Sequence, residues 1–184
     1  MSNPKHKLDK QTAIPLILIA LWIVVCNAVI IALGIHHGWT LFIACMFFFV
    51  LQGDTKKKLK EIFIGGLVGL ASSWLFMMAA MALTPTLGHL MGTMVPLTIV
   101  IMALIVLHPV APSVFNNVAF TYLIISTINI EQVPANTPIH MITFLVGGAI
   151  IIGGANLIIY LLTKAAMKKA AAAKAAELEA EAAE

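Results

Sequence analysis

Residues 62–84 read IFIGGLVGLASSWLFMMAAMALT, a continuous stretch without a charged side chain. Because a helix rises about 1.5 Å per residue, such a run is longer than the roughly 30 Å hydrocarbon core of a bilayer. Gly65 and Gly69 stand one helical turn apart, the spacing that lets two membrane helices approach closely. The stretch therefore predicts a transmembrane helix packed against a second helix.

The whole chain shares this apolar character. Of its 184 residues, 61% are hydrophobic and 10% are charged, and the mean hydropathy is +1.01. Soluble domains average about half apolar and about a quarter charged residues, so the composition excludes a soluble globular enzyme. It also excludes a disordered chain, and two cysteines are too few for a secreted disulfide scaffold of this length. We expect an integral membrane protein.

Polar segments divide the chain into apolar blocks. The blocks are 12–34, 38–52, 62–84, 93–109, 113–130 and 138–163. They predict an all-α fold with six transmembrane helices over residues 12–163, after a basic amino terminus at 1–11. Residues 164–184 form a tail rich in Ala, Lys and Glu. Because alanine is the best helix former, we expect the sixth helix to continue through this tail.

The lysines predict the orientation of the chain. All eleven lie in three short segments, at 5–10, 56–60 and 164–174. Lysine-rich loops favour the cytoplasmic side, and six crossings place all three segments there together with both termini. We therefore expect a multi-pass membrane protein anchored in the lipid bilayer. The chain has no arginine, the usual reader of phosphates and bases, so nucleic acid is not an expected partner.

Two pairs of landmarks suggest an internal duplication. Pro15 and Pro96 each open an apolar run, and glycine pairs occur at 65–66 and 147–148. The interval between the prolines nearly equals the interval between the glycine pairs. Halves of three spans each, about 12–84 and 93–163, fit these spacings. An odd number of spans inverts the second half in the membrane, as in many transporters. The alternative is that both features are simply common in membrane helices.

The fifth span, 113–130, is the most polar. Ser113, Asn117 and Thr121 recur at every fourth position and share one helical face, with Asn116 beside it. Unpaired amides and hydroxyls facing lipid are costly by several kcal/mol, so this stripe is a candidate pore or substrate-binding surface. The alternative is that these side chains hydrogen-bond neighbouring helices.

The second span supplies aromatic candidates. Trp39, Phe47 and Phe48 could form a constriction opposite the polar stripe. Alternatively, the Phe residues face lipid or the core, and Trp39 marks the membrane interface. Like the fifth span, the second is short, and short spans at matching positions of two halves indicate a substrate site.

Groups for ionic coupling or catalysis are missing from the sequence. None of the six blocks contains Asp, Glu, Lys or Arg, which disfavours ion-coupled transport. No nucleotide-binding, zinc-protease or serine-hydrolase motif occurs, so we expect no enzyme activity and no cofactor. His108 lies at the cytoplasmic end of its span before Pro109, where a histidine needs no special role.

A soft-metal site at the outer face is an alternative hypothesis. Imidazole and thioether groups suit copper-like ions, and the outer face carries several: His36, His37, His89, His140, Met91 and Met94. No acidic residue inside the membrane balances a dehydrated cation, so we predict no metal site.

Small residues predict close helix contacts. Gly65 and Gly69 in the third span, and Gly147, Gly148 and Gly153 in the sixth, are candidate packing positions. They join helices within one chain or between chains, and the small size of the protein favours a homo-oligomer.

Three motifs carry a family resemblance. They are Gly34-x-x-x-Gly38-Trp39, Gly53-Asp54 and Gly65-Gly66-x-x-Gly69. Over about residues 12–163 the chain resembles the bacterial inner-membrane domain-of-unknown-function family 1097. The resemblance implies a six-helix membrane fold and an inner-membrane location, and it implies no catalytic residues.

The function that best fits these patterns is a channel or facilitator for a small neutral or weakly acidic polar solute. The competing hypothesis is a membrane scaffold without transport activity, whose 53–61 loop and tail recruit a cytoplasmic partner.

Overall fold

The computed structural model describes residues 10–35, 38–128 and 133–181, and all regular structure in these ranges is helical. This confirms the all-α prediction. The helices are α1 (Lys10–Ala32), α2 (Trp39–Val50), α3 (Thr55–Leu107), α4 (Asn117–Ser126) and α5 (Val133–Glu181). Among them α1, α3 and α5 contain segments long and apolar enough to cross a membrane, whereas α2 and α4 are short apolar helices.

The chain reverses direction inside α3. Gly88 has φ +75° and ψ 164°, a left-handed conformation that glycine tolerates best. A Cβ on Gly92 would lie 2.6 Å from Thr84 Cα, although a continuous helix would separate these two positions by about 12 Å. Val68, before the reversal, packs in the same apolar cluster as Leu104, after it. The two parts of α3 therefore lie side by side and antiparallel.

Several helix boundaries differ from those read off the sequence. The predicted 53–61 loop is wrong in extent because α3 begins at Thr55, where lysines favour helix and Lys57 Nζ lies 3.9 Å from Glu61 Oε1 one turn later. The gap between the third and fourth blocks is helical except around Gly88. α4 covers only part of block 113–130, and α5 extends through the alanine-rich tail to Glu181, as predicted.

Residues 35–150 form one of two compact units. Its interior is aromatic: Tyr122 and Phe144 are fully buried, with ring centroids 4.8 Å apart. The Tyr122 hydroxyl donates a hydrogen bond to the Thr40 carbonyl oxygen at the start of α2. This bond satisfies a buried hydroxyl and ties α4 to α2.

The other unit comprises residues 1–34 and 151–184. Trp22 Nε1 in α1 donates to the Ile151 carbonyl oxygen over 3.0 Å, and its indole lies against Gly154. Most large side chains of α1 are nevertheless exposed, including Leu16 at 53% and Val24 at 62%. So much exposed apolar surface indicates a bilayer environment.

Candidate functional site

Glycines on α3 bring α4 into direct contact with it. A Cβ on Gly65 would lie 2.8 Å from Asn116 Nδ2, and a Cβ on Gly69 would lie 2.7 Å from Tyr122 Cβ and 3.0 Å from the Ala119 carbonyl carbon. No larger residue fits at either position without moving α4. The close contact positions the first turns of α4, where the polar residues lie.

A second set of glycines makes reciprocal contacts between α3 and α5. A Cβ on Gly66 would lie 2.8 Å from Phe144 Cε1, and a Cβ on Gly148 would lie 3.5 Å from Phe63 Cε1. The two phenyl centroids are 5.4 Å apart. Each glycine thus faces the phenyl ring of the other helix.

The two remaining predicted packing glycines, Gly147 and Gly153, differ in whether they contact another helix. Gly147 faces Leu41 of α2, with a Cβ at 3.1 Å from Leu41 Cδ2, whereas a Cβ on Gly153 would meet no atom of the described chain within 4 Å. Gly154, which the sequence analysis did not select, is the one that contacts Trp22.

Asn116 begins α4 and connects it to α3. Its backbone is extended, and its Oδ1 accepts a hydrogen bond from Ala119 N over 3.0 Å, which is an N-cap. Its Nδ2 donates to the Glu61 carbonyl oxygen of α3 over 3.0 Å and to the Ser113 carbonyl oxygen over 3.3 Å. The amide of Asn116 is therefore committed to structural hydrogen bonds.

These bonds predict a stability difference between two substitutions. Asn116→Ala removes the cap and the bond to Glu61, so we expect a loss of about 2 kcal/mol. Asn116→Asp keeps the capping oxygen but not the donor, and we expect roughly half that loss. Thermal unfolding of the detergent-solubilised variants measures both, and equal stability of Asn116→Ala and wild type would contradict the assignment.

A cavity of about 310 Å³ opens beside the start of α4. Its lining residues are Leu104, Ile105, His108, Phe115, Asn116, Asn117 and Phe120. Asn117 is exposed there. The backbone turns of 108–116 bring His108 to the same place, since His108 Nδ1 is hydrogen-bonded to the Phe115 carbonyl oxygen. The cavity thus combines two amides and an imidazole with apolar walls.

The two hydroxyls of the predicted polar stripe have different surroundings. The Thr121 hydroxyl donates to the Asn117 carbonyl oxygen over 2.8 Å, a bond within its own helix. Ser113 is half-buried and contributes its carbonyl oxygen to Asn116. Neither residue lines the cavity.

The aromatic candidates of α2 lie elsewhere. The centroid of the Trp39 ring lies 5.9 Å from that of Tyr122 and 5.2 Å from that of His140. Phe47 and Phe48 are buried, and Lys58 Nζ lies 5.6 Å from the Phe48 ring centroid and donates to the Phe48 carbonyl oxygen over 3.3 Å. None of these three aromatics lines the cavity, so the structure does not bring them opposite Asn116 and Asn117 there.

His108 is the cavity residue that sequence reasoning set aside. The sequence signal for His108 was its position directly before Pro109 at the end of an apolar span. A proline there ends the helix and favours a turn, which keeps His108 near the segment that follows. For the metal hypothesis, His36 and His37 lie outside the described residues. Within residues 10–35, 38–128 and 133–181, no group of three or more His, Cys, Asp or Glu side chains is arranged to hold a metal ion.

Long helices with exposed apolar surfaces, and glycines at close contacts between helices, define an all-helical membrane protein. Within that class the chain belongs to the family described as Protein of unknown function (DUF1097), whose family model matches residues 16–159. The resemblance seen in the sequence motifs is thereby confirmed. No match was found among curated proteins or among solved structures.

Proposed function

We propose that the protein is a channel or facilitator for a small neutral or weakly acidic polar solute in the bacterial inner membrane. It acts without ionic coupling, without enzymatic chemistry and without a cofactor. The observation that carries the proposal is the pair of short helices: α2 has 12 residues and α4 has 10. At about 1.5 Å per residue they reach roughly 18 and 15 Å, about half of the bilayer core.

Short helices leave irregular backbone at membrane depth. Such backbone is stable only where it is buried in protein or lines a cavity, and in inverted-repeat transporters it marks the substrate pathway. α4 is the shorter of the two helices, and the turns before it, at the cytoplasmic end of its span, are adjacent to the cavity that contains Asn117. An exposed amide there replaces hydrogen bonds that a polar solute loses when it leaves water.

The proposed topology has six crossings in two inverted halves. The reversal at Gly88 separates the third crossing from the fourth. Each half then consists of a long helix, a short helix and another long helix: α1, α2 and the first part of α3, followed by the second part of α3, α4 and α5. The reciprocal contacts support the symmetry: Gly66 faces Phe144, and Gly148, the counterpart of Gly66 in the second half, faces Phe63. Both termini and the 56–60 lysines are then cytoplasmic.

The proposed assembly is a homo-oligomer. The exposed apolar faces of α1 leave ample surface for a second copy, and a six-span chain of 184 residues encloses little space by itself.

Stopped-flow light scattering on proteoliposomes tests the proposal. Urea, glycerol, formate and acetate form the panel, with empty liposomes as the baseline. Wild-type protein should accelerate equilibration of at least one solute. Asn117→Leu removes the exposed amide, and we expect this acceleration to fall about tenfold, since one lost hydrogen bond approaches a factor of ten.

Asn156→Leu is the matched control. Asn156 is an exposed amide on α5 that does not line the cavity of α4, so this variant should keep the wild-type rate. If folded wild-type protein accelerates none of the solutes, the transport proposal is wrong. Equal loss in both variants would contradict the placement of the pathway beside Asn117.

A further inference from the structure

His108 gives the cavity at the start of α4 a directional hydrogen-bonding group. The residue follows directly after α3, is exposed, and lines the cavity together with Asn117. Its Nδ1 is hydrogen-bonded to the Phe115 carbonyl oxygen. This contact determines which ring nitrogen carries the hydrogen.

A carbonyl oxygen only accepts hydrogen bonds, so Nδ1 of His108 must be the donor. In the neutral imidazole the hydrogen is then on Nδ1, and Nε2 carries a free lone pair. Because Nε2 is on the other side of the ring from the bond to Phe115, it remains an acceptor for another molecule. Asn117 adds an amide that donates as well as accepts.

The rest of the cavity wall selects against charge. Leu104, Ile105 and Phe120 are apolar, and the lining includes no lysine and no acidic residue. An anion would meet the lone pair of Nε2 without a compensating cation. A neutral solute with an N–H donor beside a carbonyl oxygen complements both polar groups.

We infer that this cavity binds a primary amide or urea, with His108 Nε2 accepting an N–H and the Asn117 amide donating to the carbonyl oxygen. The inference rests on the proposed function and names the solute class of the same site. The volume of about 310 Å³ corresponds to roughly ten water molecules. A molecule as small as urea or acetamide fits with water around it.

The test compares solutes and variants in the proteoliposome assay. Urea and acetamide carry the N–H and carbonyl pair, whereas glycerol lacks the carbonyl and acetate is an anion. In His108→Asn, the amide nitrogen of the shorter side chain still donates to the Phe115 carbonyl oxygen, but no acceptor atom remains at the position that Nε2 occupies in wild type. We expect amide permeability to fall about fivefold to tenfold while glycerol permeability stays unchanged.

His89→Asn is the control for the substitution. His89 is an exposed histidine beside Gly88 and does not line the cavity, so this variant should keep wild-type amide permeability. A competition experiment on wild type needs no variant: acetamide should slow urea flux, and glycerol should not.

The outcomes separate the two proposals. If wild type accelerates a solute but shows no preference for amides and no competition by acetamide, the amide site is wrong and the facilitator proposal stands. If His108→Asn is folded and reduces all solutes equally, or none, the hydrogen bond to Nε2 is wrong. If wild type accelerates no solute, both proposals fail.

Discussion

Gly69→Ala is expected to destabilise the protein by about 2–3 kcal/mol. At a solvent- or lipid-exposed position inside a helix, the same change would instead stabilise the helix by about 1 kcal/mol. A Cβ on Gly69 would lie 2.7 Å from Tyr122 Cβ and 3.0 Å from the Ala119 carbonyl carbon. The Ala119 neighbour is backbone and cannot rotate away, so α4 has to separate from α3. For a chain of this size the loss corresponds to a fall in melting temperature of roughly 5–10 °C.

Gly153→Ala is the matched control, because a Cβ there would meet no described atom within 4 Å. Its melting temperature should equal or exceed that of wild type. Fluorescence-detected size-exclusion chromatography after heating compares the three proteins in detergent. If Gly69→Ala is as stable as Gly153→Ala, the close contact between α3 and α4 is wrong.

Phe144→Ala should have the larger effect on stability. The Phe144 side chain is fully buried, its ring lies against Gly66, and its neighbours are Tyr122 at 4.8 Å and Phe63 at 5.4 Å between centroids. Truncating a buried phenylalanine leaves a cavity and destabilises by about 3–5 kcal/mol. We expect the melting temperature to fall by roughly 10–15 °C.

A compensating substitution tests the specific contact. Gly66→Val alone should destabilise, because its Cβ would lie 2.8 Å from Phe144 Cε1. Combined with Phe144→Ala, the valine fills part of the vacated space, so the double variant should be more stable than the sum of the two losses predicts. Strict additivity would contradict the packing of Gly66 on Phe144. Phe49→Ala, at a 45% exposed position, should change stability little.

Both contacts matter for function as well as stability. Gly69 and Phe144 hold α4 through Ala119 and Tyr122, and α4 presents Asn117 to the cavity. A shift of α4 would therefore alter the proposed solute site without any change to its own side chains. Reduced permeability in these variants is informative only when the fraction of folded protein is measured alongside.

Local sequence features were sufficient for the class of the protein. Apolar runs interrupted by lysines define membrane helices because hydrocarbon excludes charge and unsatisfied backbone. The spacing of Gly65 and Gly69 marked the helix face that contacts α4, since positions one turn apart lie on one side of a helix. The alanine-rich tail continues α5 because alanine favours helix irrespective of its neighbours.

The partners of the polar side chains depended on tertiary structure. The regular spacing put Ser113, Asn117 and Thr121 on one face, yet Thr121 bonds its own helix and the neighbouring Asn116 became a cap bound to Glu61. Helical periodicity predicts which side a residue faces and not which group it meets there.

The cavity was the feature least predictable from the sequence. His108 and Asn117 come together through the turns at 108–116, whose path depends on how the end of α3 and the start of α4 pack. The reversal at Gly88 likewise rests on the backbone conformation of one glycine, and glycine is free to adopt either sign of φ. The sequence alone thus determined an apolar, all-helical membrane protein, because hydropathy and periodicity are local properties. Only the tertiary structure decided which polar groups meet in the cavity, because that depends on contacts between segments distant in the chain.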